Sequence, residues 1–430
     1  MRDFLPNYTS QYKENNMNRA ICLFEDENWQ SLTPLAYFTP VYELRCGIFT
    51  LKEKIENHFK GDKVLVHARR YIAESVIGQM YNNILFDPNF SDKWIFINGR
   101  TIADEGLVKL FDNPTEDFLL YNGSNLAGAY LTGGNIKKIF ENYSEFPLFG
   151  NLTECKRIET SCKVINYPWD LIRYNGEEII NDFRMIKDNK ENNLRNFEGV
   201  IFKSRNQILL GNFCDIDPFV CINAEKGPVI IEDHVKIMSH TTIEGPSYIG
   251  SGSVIKSHTI IGHNSSIGPV CKIGGEIEES IIHSYTNKQH YGFLGHSYLG
   301  QWLNLGAGTT NSDLKNNYGS IRVQSGDKEI DTGLTFLGVI MGDYTKTAIG
   351  TRFNTGSSIG PCCNIFSDQI VPKYLPPFTW QSNTFYSEYA LDKIIETTKV
   401  VFSRRGVIFT DSDEKLFREV FNYTKNIRIM

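Results

Sequence analysis

The chain has 430 residues, 41% of them hydrophobic and 13% aromatic, and a formal net charge of −6. That length exceeds one ordinary core and predicts two or three domains, and the acidic balance argues against a nucleic-acid partner. The nine cysteines form no Cys-x-x-Cys pair, which predicts reduced, mostly buried thiols in a cytoplasm and no zinc site or disulfide frame; no stretch approaches the ~20 apolar residues that span a bilayer.

In chain order, residues 1–18 are polar, lack an apolar h-region, and read as a flexible tail with no signal peptide. Residues 19–190 alternate short apolar strands (Arg19 to Phe24, Val64 to Val66, Trp94 to Ile97, Val164-Ile165) with helical segments near Leu51–Phe59 and Ile72–Met80. This alternation predicts an α/β domain with a mainly parallel sheet. Residues 186–198 are polar and read as a linker.

From there the pattern changes. Isoleucine recurs every six residues at Ile231, Ile237, Ile243, Ile249, Ile255, Ile261, Ile267 and Ile273. Small or β-branched residues follow four positions later, from Val235 and Thr241 to Cys271. A period of six fits neither a helix nor simple strand alternation. It fits a three-sided parallel β-helix, in which each face is one hexapeptide, aliphatic side chains stack inward, and small residues or glycine take the corners. The period returns at Phe293, Leu299 and Leu305 and again from Met341 to Ile365. The breaks, Glu276 to Gln289 and Asn311 to Leu334, read as loops leaving the coil, where function commonly sits. The β-helix is expected over residues 198–377, and residues 378–430 as a helical cap, with Leu391, Ile394, Ile395 and Val401 near one helical face.

Two stretches carry the chemistry. The run from Asn287-Lys288-Gln289-His290 to Phe293-Leu294-Gly295, followed by Asn304-Leu305-Gly306-Ala307-Gly308-Thr309 and Asn311-Ser312-Asp313-Leu314-Lys315, resembles the acetyltransferase half of the bifunctional N-acetylglucosamine-1-phosphate uridyltransferase family. The longer string is more similar to a divergent bacterial branch of that family. Pro34-Leu35-Ala36-Tyr37-Phe38-Thr39-Pro40-Val41 and Leu44-Arg45-Cys46-Gly47-Ile48-Phe49-Thr50, ahead of Glu53-Lys54, resemble that branch's N-terminal signature. The resemblance implies an α/β sugar nucleotidyltransferase domain followed by a left-handed parallel β-helix, over about residues 19–405.

What the resemblance implies for residues follows from the chemistry. Acyl transfer to an amine needs a base and donors for the oxyanion. His290 matches the family's catalytic histidine; Gly306, Ala307 and Gly308 match the stretch that approaches acetyl-CoA. Lys288 is a candidate for a sugar phosphate, and Asn304 and Asp313 are candidates for the acceptor. This chain has Phe293 where the family has Tyr and Asp313 where it has Asn, so the acceptor need not be glucosamine 1-phosphate. His234, His240, His258 and His263 read as structural, and so, for the most part, does His296. Gly306 to Gly308 serve corner geometry equally well.

Nucleotidyl transfer needs cations on the triphosphate and carboxylate-held Mg²⁺. The Gly-x-Gly-Thr-Arg phosphate loop is absent, and Thr39 stands where the signature has Arg. Arg45 and Lys54 are the candidate cations; alternatively they pair with Glu43 and Glu53 on the surface. Asn98 and Asp170 resemble the metal positions; alternatively Asp170 caps a helix running from Leu171.

The expected function is a sugar nucleotidyltransferase, joining a sugar 1-phosphate to a nucleoside triphosphate with Mg²⁺ and releasing pyrophosphate. It is fused to a hexapeptide-repeat acetyltransferase that uses acetyl-CoA as cosubstrate. The alternatives are that only one domain is active, or that the β-helix is a non-catalytic trimeric scaffold. The expected assembly is a cytoplasmic homotrimer with small-molecule substrates and no nucleic-acid or membrane partner.

Overall fold

The computed structural model describes residues 20–73, 91–139, 145–325, 328–383 and 385–428. The expected tail and most of the expected Ile72–Met80 helix lie outside them; Arg70–Ile72 forms a single helical turn.

The N-terminal domain is built on a six-stranded sheet ordered Lys63–His67, Ala20–Phe24, Lys93–Asn98, Asn125–Thr132, Phe118–Asn122, Lys156–Glu159. Ala20–Phe24 pairs in parallel with both its neighbours. It is buried along its whole length, which explains its unbroken apolar sequence. The sheet is mixed, because Asn125–Thr132 runs antiparallel to the strands on either side of it. The expected strand at Val164-Ile165 is an isolated bridge between Val164 and Thr101. Leu51–His58 is a helix opened by a capping box of Thr50 and Glu53.

A 19-residue helix, Pro168–Ile186, joins this domain to the β-helix. Its buried residues recur every three or four positions, from Leu171 and Ile172 through Asn175, Gly176 and Ile179 to Phe183, so it packs on both sides. Asn175 shows how: its Oδ1 accepts from the Gly47 amide at 2.8 Å and the Ser266 hydroxyl at 3.0 Å, while its Nδ2 donates to the Asn264 carbonyl at 2.7 Å. A Cβ at Gly176 would lie 2.0 Å from Asn264 Oδ1, so only glycine allows this approach. The expected linker does more than link. Asn193 donates to the Leu210 carbonyl at 2.8 Å, and Leu194 and Phe197 pack on the first coil's interior.

The repeat is a left-handed β-helix with three parallel faces. One face has nine strands, another has nine and ends in an added antiparallel strand, Phe385–Glu388, and the third has six strands extended by a separate group of three. Ile231, Ile249, Ile267, Ile282, Leu299, Met341, Ile359 and Leu375 stack in register along the first face. The segment Glu276 to Gln289 is not a loop. It continues the coil as Glu276–Glu278, Ile281–Ser284 and Asn287–Lys288. The period breaks there because the corners shorten, while the inward Ile277 and Ile282 keep the stack. The segment after Asn311 does leave the coil, as an antiparallel hairpin of Arg322–Ser325 and Lys328–Asp331.

The C-terminal helices, Leu391–Ser403 and Asp411–Tyr423, lie along one flank. Phe402 stacks on Trp302 at 4.2 Å, Phe417 meets Phe38 and Tyr344, and Tyr423 meets Trp29. One hydrophobic core therefore holds residues of all three parts, among them Leu44, Tyr298, Ile340, Ile395 and Val420.

Candidate functional site

The cations expected on a triphosphate are interior. Lys54 is 1% exposed and bonded to Glu178 at 2.8 Å and Asp182 at 2.5 Å, both on the Pro168–Ile186 helix. Burial alone would discharge it, but the two carboxylates hold the ammonium charged. Arg45 is buried at the junction with the β-helix; it donates to the Ile48 carbonyl, and its guanidinium lies 5.4 Å from the Tyr248 ring centre. Neither makes the surface pairs with Glu43 and Glu53 that were the alternative. The region after Ala20–Phe24, where a phosphate loop is absent, is filled by a buried ion pair of Glu25 and Arg69 at 2.5 Å. Thr39 is buried beside it and receives a hydrogen bond from Gln301 of the β-helix at 3.4 Å.

Asn98 and Asp170 belong to one network whose centre is Arg100. The guanidinium donates to Asp26 at 3.0 and 2.6 Å, to the Ile165 carbonyl at 2.8 Å and to Asn166 Oδ1 at 3.0 Å. Asn98 donates to Asp26 at 2.8 Å and accepts from the Arg100 amide at 3.0 Å. Asp170 accepts from the Asn166 and Tyr167 amides at 2.8 and 2.9 Å, closing a capping box on a helix that starts at Pro168, earlier than Leu171. Magnesium needs oxygen ligands free to coordinate it. Here Asn98 Oδ1 and Asp170 Oδ2 accept from backbone amides, Asp26 is held by the Arg100 guanidinium, and the described residues hold no group of three or more His, Cys, Asp or Glu able to bind a metal ion. These residues do not fit Mg²⁺.

On the β-helix the two motif stretches come together. The turn His290–Gly292 lies one coil from the turn Gly306–Thr309: the Gly308 amide donates to the Tyr291 carbonyl at 3.0 Å, and a Cβ at Gly308 would lie 3.0 Å from the Tyr291 hydroxyl. Gly308 also has φ +76°, and a Cβ at Gly306 would lie 2.5 Å from the Ala348 backbone. Both glycines thus have a packing reason. His290 and Tyr291 are exposed at this corner. Lys288 does not face a sugar phosphate. It replaces the inward isoleucine of its face and donates to the carbonyls of Gly274, His290 and Gly292 at 3.0, 3.1 and 2.7 Å. Burial draws its ammonium down to about 8. It is an internal clamp on the His290 turn. Asn304 is exposed and accepts from Asn287 at 3.3 Å.

At the next corner, across the strand Phe293–Gly295, Asp313, a candidate for the acceptor, pairs with His296, which the sequence reads as mostly structural. His296 Nδ1 is 2.8 Å from Asp313 Oδ2. His234, His240 and His258, by contrast, sit in rings stacked along corners, such as His240 on His258 at 4.9 Å. The signal in the sequence was spacing: Asp313 follows His296 by 17 residues, the same coil length that sets Leu299 on Ile282.

Comparison with known proteins agrees with this division. Residues 21–191 match the family described as sugar nucleotidyl transferase. A bifunctional sugar-1-phosphate nucleotidylyltransferase/acetyltransferase of Sulfurisphaera tokodaii is 33% identical over 152 residues, 34% of this chain and 37% of that protein. The bifunctional protein GlmU of Methanocaldococcus jannaschii is 31% identical over 152 residues, 35% of this chain and 33% of that protein. The chain thus spans about a third of the length of these relatives. Among solved structures, a UDP-N-acetylglucosamine acyltransferase from Campylobacter jejuni aligns at 14% identity over 53% of this chain and 81% of that one, with a TM-score of 0.28. No helix among the described residues is long and apolar enough to cross a membrane. Residues 21–191 thus match the sugar nucleotidyl transferase family model, in the same chain as a left-handed β-helix.

Proposed function

We propose that this chain is a two-domain transferase. The β-helix moves an acetyl group from acetyl-CoA to the amine of an amino sugar or its phosphate, and the N-terminal domain couples a sugar 1-phosphate to a nucleoside triphosphate with release of pyrophosphate. One observation carries the acyl-transfer half. The His290–Gly292 turn and the Gly306–Thr309 turn, separate in sequence, form one corner that is exposed at His290 and Tyr291, with Lys288 clamping the first turn from inside. A pantetheine arm laid across Ala307 would bring its thioester to that surface. A homotrimer would pack neighbouring faces against this corner, and the acidic chain, with no membrane-crossing helix among its described residues, suits the cytoplasm.

The test is incubation of the full-length protein with acetyl-CoA and a panel of amino sugars and their 1-phosphates, following free thiol. Thiol release that requires an amine supports the reading; none with any amine sinks it.

A second reading of the N-terminal domain is favoured by Arg100, whose guanidinium takes up Asp26 and Asn166, the partners of the expected metal positions Asn98 and Asp170. On that reading the domain binds a sugar nucleotide without turning it over. Pyrophosphate release from sugar 1-phosphates, nucleoside triphosphates and Mg²⁺ decides for catalysis. Binding of a nucleotide sugar with no pyrophosphate from any pair decides for the binding module.

A further inference from the structure

We propose a further ligand site, for a nucleoside diphosphate, in the wedge between the C-terminal end of the Pro168–Ile186 helix and the first two corners of the β-helix. The wedge is a cavity of about 530 Å³, inside the range of about 300–1,000 Å³ in which small-molecule sites fall. Neither half of the proposed transferase uses it.

The cavity exists because two corners are oversized. Inward residues on adjoining faces stand six apart where the coil is regular, as Ile243 and Ile249 do. At the start of the coil Phe202 and Leu210 stand eight apart, and Ile222 and Ile231 nine. The added residues lie in the turns Ser204–Gln207 and Ala224–Pro228, which therefore project beyond the coil. The helix passes beside them, pinned by Phe183, which packs with Leu209 and Ile230 of the first face. Backbone hydrogen bonds fix both turns. The Gln207 amide donates to the Ser204 carbonyl at 2.8 Å, the Ala224 amide to the Lys203 carbonyl at 3.2 Å, and the Ser247 amide to the Pro228 carbonyl at 2.9 Å. A ligand would enter walls already built and would not have to order them.

Charge selects the ligand. Arg184 and Lys187 reach the cavity from the helix and Lys226 from the second corner. The one carboxylate in the lining, Glu225, is engaged by Lys203 at 3.6 Å. None of the three cations has an ion pair among the described residues, although the whole chain carries a net −6. Arg184 and Lys187 also suit the negative end of the helix, but that does not bring Lys226 to them from another element. Three positive charges exceed the roughly −1.5 to −2 of one phosphate monoester and match a diphosphate, with Arg184 offering a bidentate fork. Ile180, Phe183 and Pro228 supply an apolar wall for a base, and the Asn206 and Gln207 amides can meet its edge or the ribose hydroxyls.

The helix gives the site a reach. It also holds Lys54 through Glu178 and Asp182, and Gly47 through Asn175. A diphosphate bridging Arg184 and Lys187 to Lys226 would tie this helix to the first coils and steady the Arg45–Thr50 segment. The site is separate from the acyl-transfer corner. The coil of His290 lies three strand spacings along the axis, from Val229–Ile231 to Ile281–Ser284, or about 14 Å.

The experiment titrates the full chain with ADP, UDP and pyrophosphate by calorimetry at low salt, and maps each complex by hydrogen exchange. A nucleoside diphosphate should bind and protect residues 204–207 and 224–228. Arg184→Gln and Lys226→Gln should each weaken that binding about tenfold or more, the range for losing a hydrogen bond between charged groups, and added salt should weaken it further. Both side chains are exposed, so the melting temperatures should stay unchanged. Lys393→Gln, on the surface of the C-terminal helices, should leave the affinity as it was. Pyrophosphate bound as tightly as either nucleotide overturns the nucleoside assignment. Unchanged affinity in the Arg184→Gln, Lys226→Gln double variant, or no protection at the two turns, overturns the site.

Discussion

In the N-terminal domain, Lys54, Arg69 and Arg100 are buried and each is closed around carboxylates. On the β-helix, His290 and His296 stand at corners where solvent reaches them. The charges of the first region hold elements together. Lys54 ties the Leu51–His58 helix to the Pro168–Ile186 helix, and Arg69 ties the end of the Lys63–His67 strand to the turns at Ala36 and Thr39. Those of the second region keep a valence free for a ligand. The same residue types therefore do opposite work, and what separates them is whether a fold-internal partner completes each polar group.

The strongest way to break this contrast is Lys54→Met. If the triad is structural, leaving Glu178 and Asp182 buried and unpaired should cost about 3–5 kcal/mol, read as a lowered denaturant midpoint. A fully folded, stable variant would return Lys54 to the list of ligand-binding residues. Next comes acid. Burial holds the His67 and His283 imidazoles near about 4, against an ordinary 6.5; at His283, Arg45 adds to the effect. The unfolded chain takes up protons below 6.5 that the folded chain refuses. Stability is therefore complete above pH 6.5 and falls as the pH drops through 4, by up to about 3 kcal/mol for each ring. His283→Asn should flatten part of that slope; an unchanged slope would count against a buried neutral ring. The smallest effect sharpens the β-helix side. Ile267→Val removes one methylene from a continuous inward stack and should cost about 1 kcal/mol without altering acetyl transfer.

The β-helix was legible in the sequence because its geometry writes itself into spacing: each isoleucine must meet the one a coil away. Where Ile267 pairs with Ile282 the corners shorten, the spacing slips, and a continuing coil reads as a loop. The polar positions were harder. Lys54 finds its partners more than a hundred residues later, at Glu178 and Asp182, and no local pattern announces that. Lys288 reads as a ligand because lysines are seldom inside; only the inward register of its face shows the three carbonyls it satisfies. In the N-terminal domain the apolar runs located the central strands, but they could not show that Asn125–Thr132 would run antiparallel between its neighbours.

The shared core of the three parts has a practical corollary. Tyr298 and Ile340 of the β-helix lie in one apolar cluster with Leu44 and Leu171 ahead of them and Ile394 and Phe417 behind. A fragment ending near Ile186 would present that seam to water and invite aggregation. The two chemistries cannot be assigned by cutting the polypeptide in half; they have to be silenced one side chain at a time in the intact molecule.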